Sequence, residues 1–138
     1  MITVVATGVF DIIHPGHILY LTEAKALGDE LIVVVACDNT AETRKRKPII
    51  PEDQRMEIVS QLKLVDKAVL GDESDFFKPI SKIKPDVIAL GADQKVDEEQ
   101  LREMLKAHGL NTKIVRVSAH WDAPLNASKK IHEKISEL

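Results

Sequence analysis

One cysteine, one tryptophan and one tyrosine stand in 138 residues, and no apolar run approaches the ~18 residues of a membrane span. The single thiol, Cys37, excludes an internal disulfide and fits a reducing compartment. Its place at the end of an apolar run reads as a buried structural group rather than a nucleophile. There is no excess of positive charge. The 19 Lys and Arg against 22 Asp and Glu give a formal net charge of −3, which argues against a general affinity for nucleic acid or an anionic membrane. No basic segment followed by an apolar signal core opens the chain, so the expected location is the cytoplasm. Repeats, low-complexity tracts and linkers are missing too. With 44% hydrophobic and 30% charged residues, 1–138 is expected to be a single domain around one ordinary core.

What the chain does have is a regular alternation of short apolar runs and amphipathic segments. Strands are expected at Ile2–Thr7, Leu31–Ala36, Lys67–Leu70, Asp86–Leu90 and Lys113–Val117. Helices are expected at Ile18–Leu27 with Gly28 as its stop, Pro51–Leu62, Asp75–Ile83, Asp97–His108 closed by Gly109, and Ser128–Leu138. The strand segments are apolar on both faces, which favours a parallel sheet covered by helices over an antiparallel one with a wet face. The expected fold is therefore α/β, a doubly wound five-stranded parallel sheet. Between the second strand and the next helix, the polar stretch Asp38–Lys47 is expected to be a mobile loop.

The stretch Gly8-Val9-Phe10-Asp11-Ile12-Ile13-His14-Pro15-Gly16-His17 is the strand-to-helix turn after the first strand. Such turns lie at the carboxyl edge of an open parallel sheet, where unpaired helix N–H groups and the helix dipole make a site for anions, phosphate foremost. Two histidines three residues apart bracket Pro15-Gly16, so both imidazoles can point at one bound group. Alone, a Gly-x-x-Asp or a loop histidine is turn chemistry or a surface residue. In combination, Gly-x-Phe-Asp-x-x-His-x-Gly-His resembles the signature of the nucleotidyltransferase superfamily that includes cytidylyltransferases, phosphopantetheine adenylyltransferase and FAD synthases. The resemblance implies a Rossmann-like fold and transfer of a nucleoside monophosphate from a nucleoside triphosphate to an acceptor phosphate, with release of pyrophosphate. It implies that His14 and His17 are catalytic, contacting the triphosphate and stabilising charge at the α-phosphorus. Pro15 and Gly16 then belong to the nucleotide site, and Val9 and Phe10 offer it backbone groups. Many members have Thr at the position of Val9.

A narrower likeness joins Arg-Lys-Pro-Ile-Ile-Pro-Glu-Asp-Gln-Arg at 46–55 to Gly-Ala-Asp-Gln at 91–94, which together are similar to archaeal FAD synthases over nearly the whole chain. It implies ATP and FMN as substrates and a divalent cation on the triphosphate, Mg²⁺ first and Mn²⁺ or Co²⁺ as alternatives, with no protein metal ligands. Only His14 and His17 of the five histidines are close in sequence, and no cysteine or acidic quartet surrounds them. Dimers are common in the family, so a homodimer is one option. Cations Arg44, Lys45, Arg46 and Lys47 read either as a solvated run or as a cover for the phosphates. Arg55 either orients the acceptor phosphate or pairs with an acid. Asp93 reads as a ligand of ribose or base amine, or as an Asx turn. His120, and Ser128 at the start of the last helix, complete the nucleotide candidates, and Asn126 or Ser128 is the expected N-cap. Phe76, Phe77 and Trp121 are the candidates for stacking on a flavin. The chain lacks the arginine and glycine of the Arg-Thr-x-Gly-x-Ser-Thr-Thr pattern of glycerol-phosphate cytidylyltransferases. A CDP-alcohol-forming cytidylyltransferase and a non-catalytic nucleotide sensor are the alternative functions.

Overall fold

Val4, Val5 and Ala6 are followed later by Leu31 to Val35 and Val87 to Leu90, runs with no polar face, so their strands need cover on both sides. The computed structural model describes residues 1–44, 47–92, 94–117 and 128–138, with the backbone alone at 42–44 and 128. In it β1 (Thr3–Gly8), β2 (Glu30–Val35), β3 (Lys67–Leu70), β4 (Val87–Leu90) and β5 (Lys113–Arg116) form one parallel sheet in the order β3-β2-β1-β4-β5. The connecting helices are α1 (Pro15–Lys25), α2 (Asp38–Arg44), α3 (Glu52–Ser60), α4 (Phe77–Ile83) and α5 (Glu98–Ala107), with α6 (Ser128–Ser136) last.

Alternation along the strands divides the core in two. Val4, Ala6, Leu31, Val33 and Val35 face Leu21 and Ala24 of α1 and Val59 of α3. Val5, Ile32, Val34, Ile88 and Leu90 face Phe77 and Ile80 of α4 and Leu101 and Leu105 of α5. Each such side chain contributes about 1.5–3 kcal/mol when fully buried, so a one-residue slip of β1 would forfeit both layers at once. At the amino edge, Asp29, Asp66 and Asp86 accept the backbone N–H groups of Ile2, Leu31 and Thr3. These aspartates satisfy donors at the starts of the central strands. Among the described residues no helix is long and apolar enough to cross a membrane.

Two sequence expectations change. Residues 38–44 are helical rather than loop: Ala41 N–H bonds the Cys37 carbonyl at 3.0 Å, and the half-buried Asp38 N–H is capped by Glu52 Oε1 at 2.9 Å. That cap comes from the start of α3, a partner that local composition does not reveal. Gly28 is not the stop of α1, which ends at Lys25 with Ala26 as a right-handed C-cap. It is needed for close approach, since a Cβ there would lie 2.7 Å from Val4 Cγ2 and 2.8 Å from the Ile2 carbonyl oxygen. Gly109 does behave as expected, with φ of 72° just past α5.

Candidate active site

The helix α1 begins three residues earlier than the periodicity of its apolar positions suggests, because a histidine acts as its cap. His14 has extended backbone angles, and its Nδ1 accepts the Gly16 N–H at 3.1 Å. His17 Nδ1 reaches back to accept the His14 N–H at 3.3 Å. This is the reciprocal capping box built from two imidazoles in place of a hydroxyl and a carboxylate. The rings stack with centroids 3.7 Å apart and planes 24° from parallel.

The cap corrects the expected origin of the anion site. Pro15 has no N–H, that of Gly16 goes to His14 Nδ1, and those of His17 and Ile18 both go to the His14 carbonyl at 3.0 and 3.3 Å. The first turn thus keeps its backbone donors to itself. In exchange it fixes the tautomers: with each Nδ1 accepting from backbone, a neutral ring carries its proton on Nε2. Burial pushes the His17 imidazole down to about 3, helped by the neighbouring His14, and burial also lowers His14. Two neutral Nε2–H donors held side by side at the positive end of α1 are suited to anionic oxygens. Both Nδ1 lone pairs are occupied, so the pair is unsuited to holding a metal, and among the described residues no group of three His, Cys, Asp or Glu is placed to do so.

The residues around this turn hold it in shape. Phe10 lies in the left-handed region at φ 52°, a conformation that costs a non-glycine residue roughly 1–2 kcal/mol. Its ring is buried 5.1 Å from that of His17, and a Cβ on Gly8 would meet it at 2.9 Å. Asp11, also buried, accepts the Ile49 and Ile50 N–H groups at 3.0 and 2.8 Å and stands 3.5 Å from His132 Nε2 of α6. Of the two readings of Arg55, pairing with an acid is the one realised. Its side chain is wholly buried, with Nη2 2.7 Å from Asp38 Oδ1, Nη1 donating to the carbonyls of Val9 and Ala36, and Nε donating to that of Ile50. A guanidinium so engaged binds the ends of β1 and β2 to the segment before α3. It is not presented to an acceptor phosphate, and the Val9 carbonyl is taken by it.

Beside the histidines the sheet opens. β1 stays paired with β2 as far as Gly8 and Val35, but its pairing with β4 stops at Ala6 and Ala89. Two side chains satisfy the backbone where the strands part. Tyr20 OH accepts from Thr7 N at 3.1 Å and donates to the Ala89 carbonyl at 2.7 Å, and its burial raises the phenol well above its ordinary range. Gln94 Oε1 takes the Gly91 N–H at 2.7 Å while its Nε2 donates to the Thr7 carbonyl at 3.1 Å. Neither role is visible in sequence, because each joins residues on different strands. This crevice, at the point where the strand order reverses, is where open α/β sheets take ligands.

Lys47 is exposed, Arg44 ends α2, and Ser128 begins α6. Lys45, Arg46, Asp93, His120, Trp121 and Asn126 lie outside the described residues. Phe77 is excluded from stacking on a flavin: it is buried in the core with its ring 4.5 Å from that of His108, whereas Phe76 keeps 38% exposure. Cys37 is buried with Sγ 3.1 Å from Thr40 Oγ1. A cleft of about 400 Å³ beyond β2 and β3 is lined by the carboxylates of Asp38, Glu52, Asp72 and Glu73. That charge makes it a poor seat for polyphosphate beside the imidazole pair.

The chain is 57% identical over 138 residues to the FAD synthase of Archaeoglobus profundus, covering 100% of this chain and 88% of that protein. It is 58% identical over 135 residues to the FAD synthase of Ferroglobus placidus, covering 98% and 88%. A solved structure, described as the lipopolysaccharide core biosynthesis protein of Thermoplasma volcanium GSS1, superposes with a TM-score of 0.85 at 52% identity, covering 88% of this chain and 99% of that one. A family model described as cytidylyltransferase-like matches residues 5–136, from within β1 to the last turn of α6. Because the match takes in the histidine-capped turn together with the sheet that presents it, the chain belongs to the cytidylyltransferase-like family of nucleotidyltransferases.

Proposed function

We propose that the chain is an FAD synthase that transfers AMP from ATP to FMN and releases pyrophosphate, with His14 and His17 as its catalytic residues. The observation that carries the chemistry is the stacked imidazole pair with both Nδ1 atoms anchored to backbone. An FMN phosphate oxygen attacks the α-phosphorus in line, and the bond from that phosphorus to the bridging oxygen breaks, leaving pyrophosphate. The acceptor is already an anion, so no general base is required. The protein's task is to align the phosphates and to offset the charge that accumulates on the leaving group. Nε2–H groups of His14 and His17 donate to those oxygens, and the rigid cap keeps them aimed without reorganisation. A divalent cation, Mg²⁺ most simply, arrives on the triphosphate as part of the substrate and neutralises its charge. The cations Arg44, Lys45, Arg46 and Lys47 add to that neutralisation.

The choice of ATP and FMN is supported by relatives at 51–58% identity, over 96% or more of this chain, that carry the name FAD synthase. It is tested by incubating the purified protein with each nucleoside triphosphate, a divalent metal, and FMN or a panel of small alcohol phosphates. Products and pyrophosphate are then identified by mass. FAD from ATP and FMN is the expected product. A CDP-alcohol from CTP, with no FAD in Mg²⁺, Mn²⁺ or Co²⁺, would overturn the substrates and leave the family standing.

A further inference from the structure

The loop after β4 is fastened far more firmly than a surface connection needs. Arg116, the last residue of β5, donates from NH1 to the carbonyls of Gly91 at 2.8 Å and Gln94 at 2.9 Å, and from NH2 to that of Val96 at 3.3 Å. Its Nε bonds Glu98 Oε2 at 2.9 Å, on the first turn of α5. From the opposite side, the Gln94 amide joins Gly91 N–H to the Thr7 carbonyl of β1. One guanidinium and one amide therefore tie β1, β5 and α5 to Gly91, Gln94 and Val96 of the loop.

We propose that Arg116 is a positioning residue that sets the choice of nucleobase, by holding the loop after β4 in one shape against the crevice. The inference rests on reading the chain as an adenylyltransferase. With the phosphates at the turn after β1, a nucleoside laid along the carboxyl edge meets the loop of the next strand, β4. Bases differ in the donors and acceptors on their edges. Steep discrimination requires protein groups that are fixed and that the wrong base leaves unpaired. Arg116 donates to the carbonyls of Gly91, Gln94 and Val96 and so fixes their directions, and Gln94 takes the Gly91 N–H, so the clamp sets which groups of the loop a base can meet. A clamp of stability alone, once removed, would weaken every nucleotide in the same proportion. A clamp that sets the pattern of open groups would change their ratio.

The test uses the full chain with Arg116→Met and, acting on the same loop from the crevice side, Gln94→Ala. Dissociation constants for ATP and CTP are measured by calorimetry on protein shown to be folded by circular dichroism, alongside kcat and KM with FMN. Discrimination between bases rests on groups held in fixed positions, so the ratio of ATP to CTP affinity should fall roughly tenfold in both variants, whatever accompanying change kcat shows. Equal weakening of both nucleotides in the folded variants would sink the proposal, as would a wild-type protein that binds the two alike. Should Arg116→Met fail to fold, Gln94→Ala decides alone. If the wild type makes no FAD yet prefers ATP, the proposed reaction fails while the binding ratio still judges Arg116.

Discussion

At the scale of single residues, the histidine pair combines structure and chemistry in the same atoms. Each Nδ1 caps backbone, and each Nε2 is thereby committed to donate. His17→Ala should lower kcat about 10²–10³-fold with a smaller change in nucleotide affinity, the signature of a donor that acts on developing charge. Steady-state kinetics with a near-normal kcat would remove His17 from the mechanism. The lowered His17 also predicts a pH effect on stability. An unfolded histidine takes up its proton near 6.5, whereas folded His17 holds out to about 3. Between those values the unfolded chain binds more protons, so stability falls as pH drops from 6.5 towards 3. His17→Gln removes this titration, and its melting temperature should decline less than that of the wild type between pH 7 and pH 5. Equal declines in the two proteins would contradict the depressed imidazole.

At the scale of elements, Arg55 is the tie between three segments that meet at the site. Arg55→Met leaves the carbonyls of Val9, Ala36 and Ile50 without their donor and Asp38 without its cation. The Asp38 side chain is 42% exposed and is solvated once its partner goes, so the loss comes chiefly from the carbonyls left without a donor, about 1–3 kcal/mol for each that stays buried, and urea unfolding should show a loss of a few kcal/mol. A change below ~1 kcal/mol would mean that these groups find other partners. In sequence, the cations at 44–47 run from the last residue of α2 into the segment before α3. Neutralising all four should weaken triphosphate binding and steepen its dependence on the divalent ion. Nucleotide kinetics indistinguishable from the wild type would identify the run as a solvated face.

At the scale of the whole molecule, a nucleotide that binds the folded chain and not the unfolded one stabilises the entire fold by mass action. ATP with Mg²⁺ at about 100 times its dissociation constant should add ~2.7 kcal/mol to unfolding. CTP at the same concentration should add measurably less. Thermal unfolding followed with each nucleotide checks this independently of turnover, and equal shifts would argue against selection of adenine in the free enzyme.

Apolar periodicity by itself determined the five strands, their parallel arrangement and all but one of the helices, because buried β-branched runs separated by amphipathic segments leave few other ways to hide their surface. The motif at 8–17 likewise marked the turn and the pair of histidines, since these are neighbours in the chain. What only the tertiary structure decided joins residues distant in sequence. Glu52 caps the Asp38 N–H and helps turn an expected loop into α2. Asp38 and three carbonyls from separate segments claim Arg55. Core packing withdraws Phe77 from any ligand, while Tyr20 and Gln94 satisfy backbone where β1 and β4 part and Arg116 ties the loop after β4 to β5, contacts that nothing local to them announces. The imidazoles show the same division within a single site. Sequence identified the two rings, but the backbone N–H groups that folding brings to each Nδ1 decided which nitrogen carries the proton.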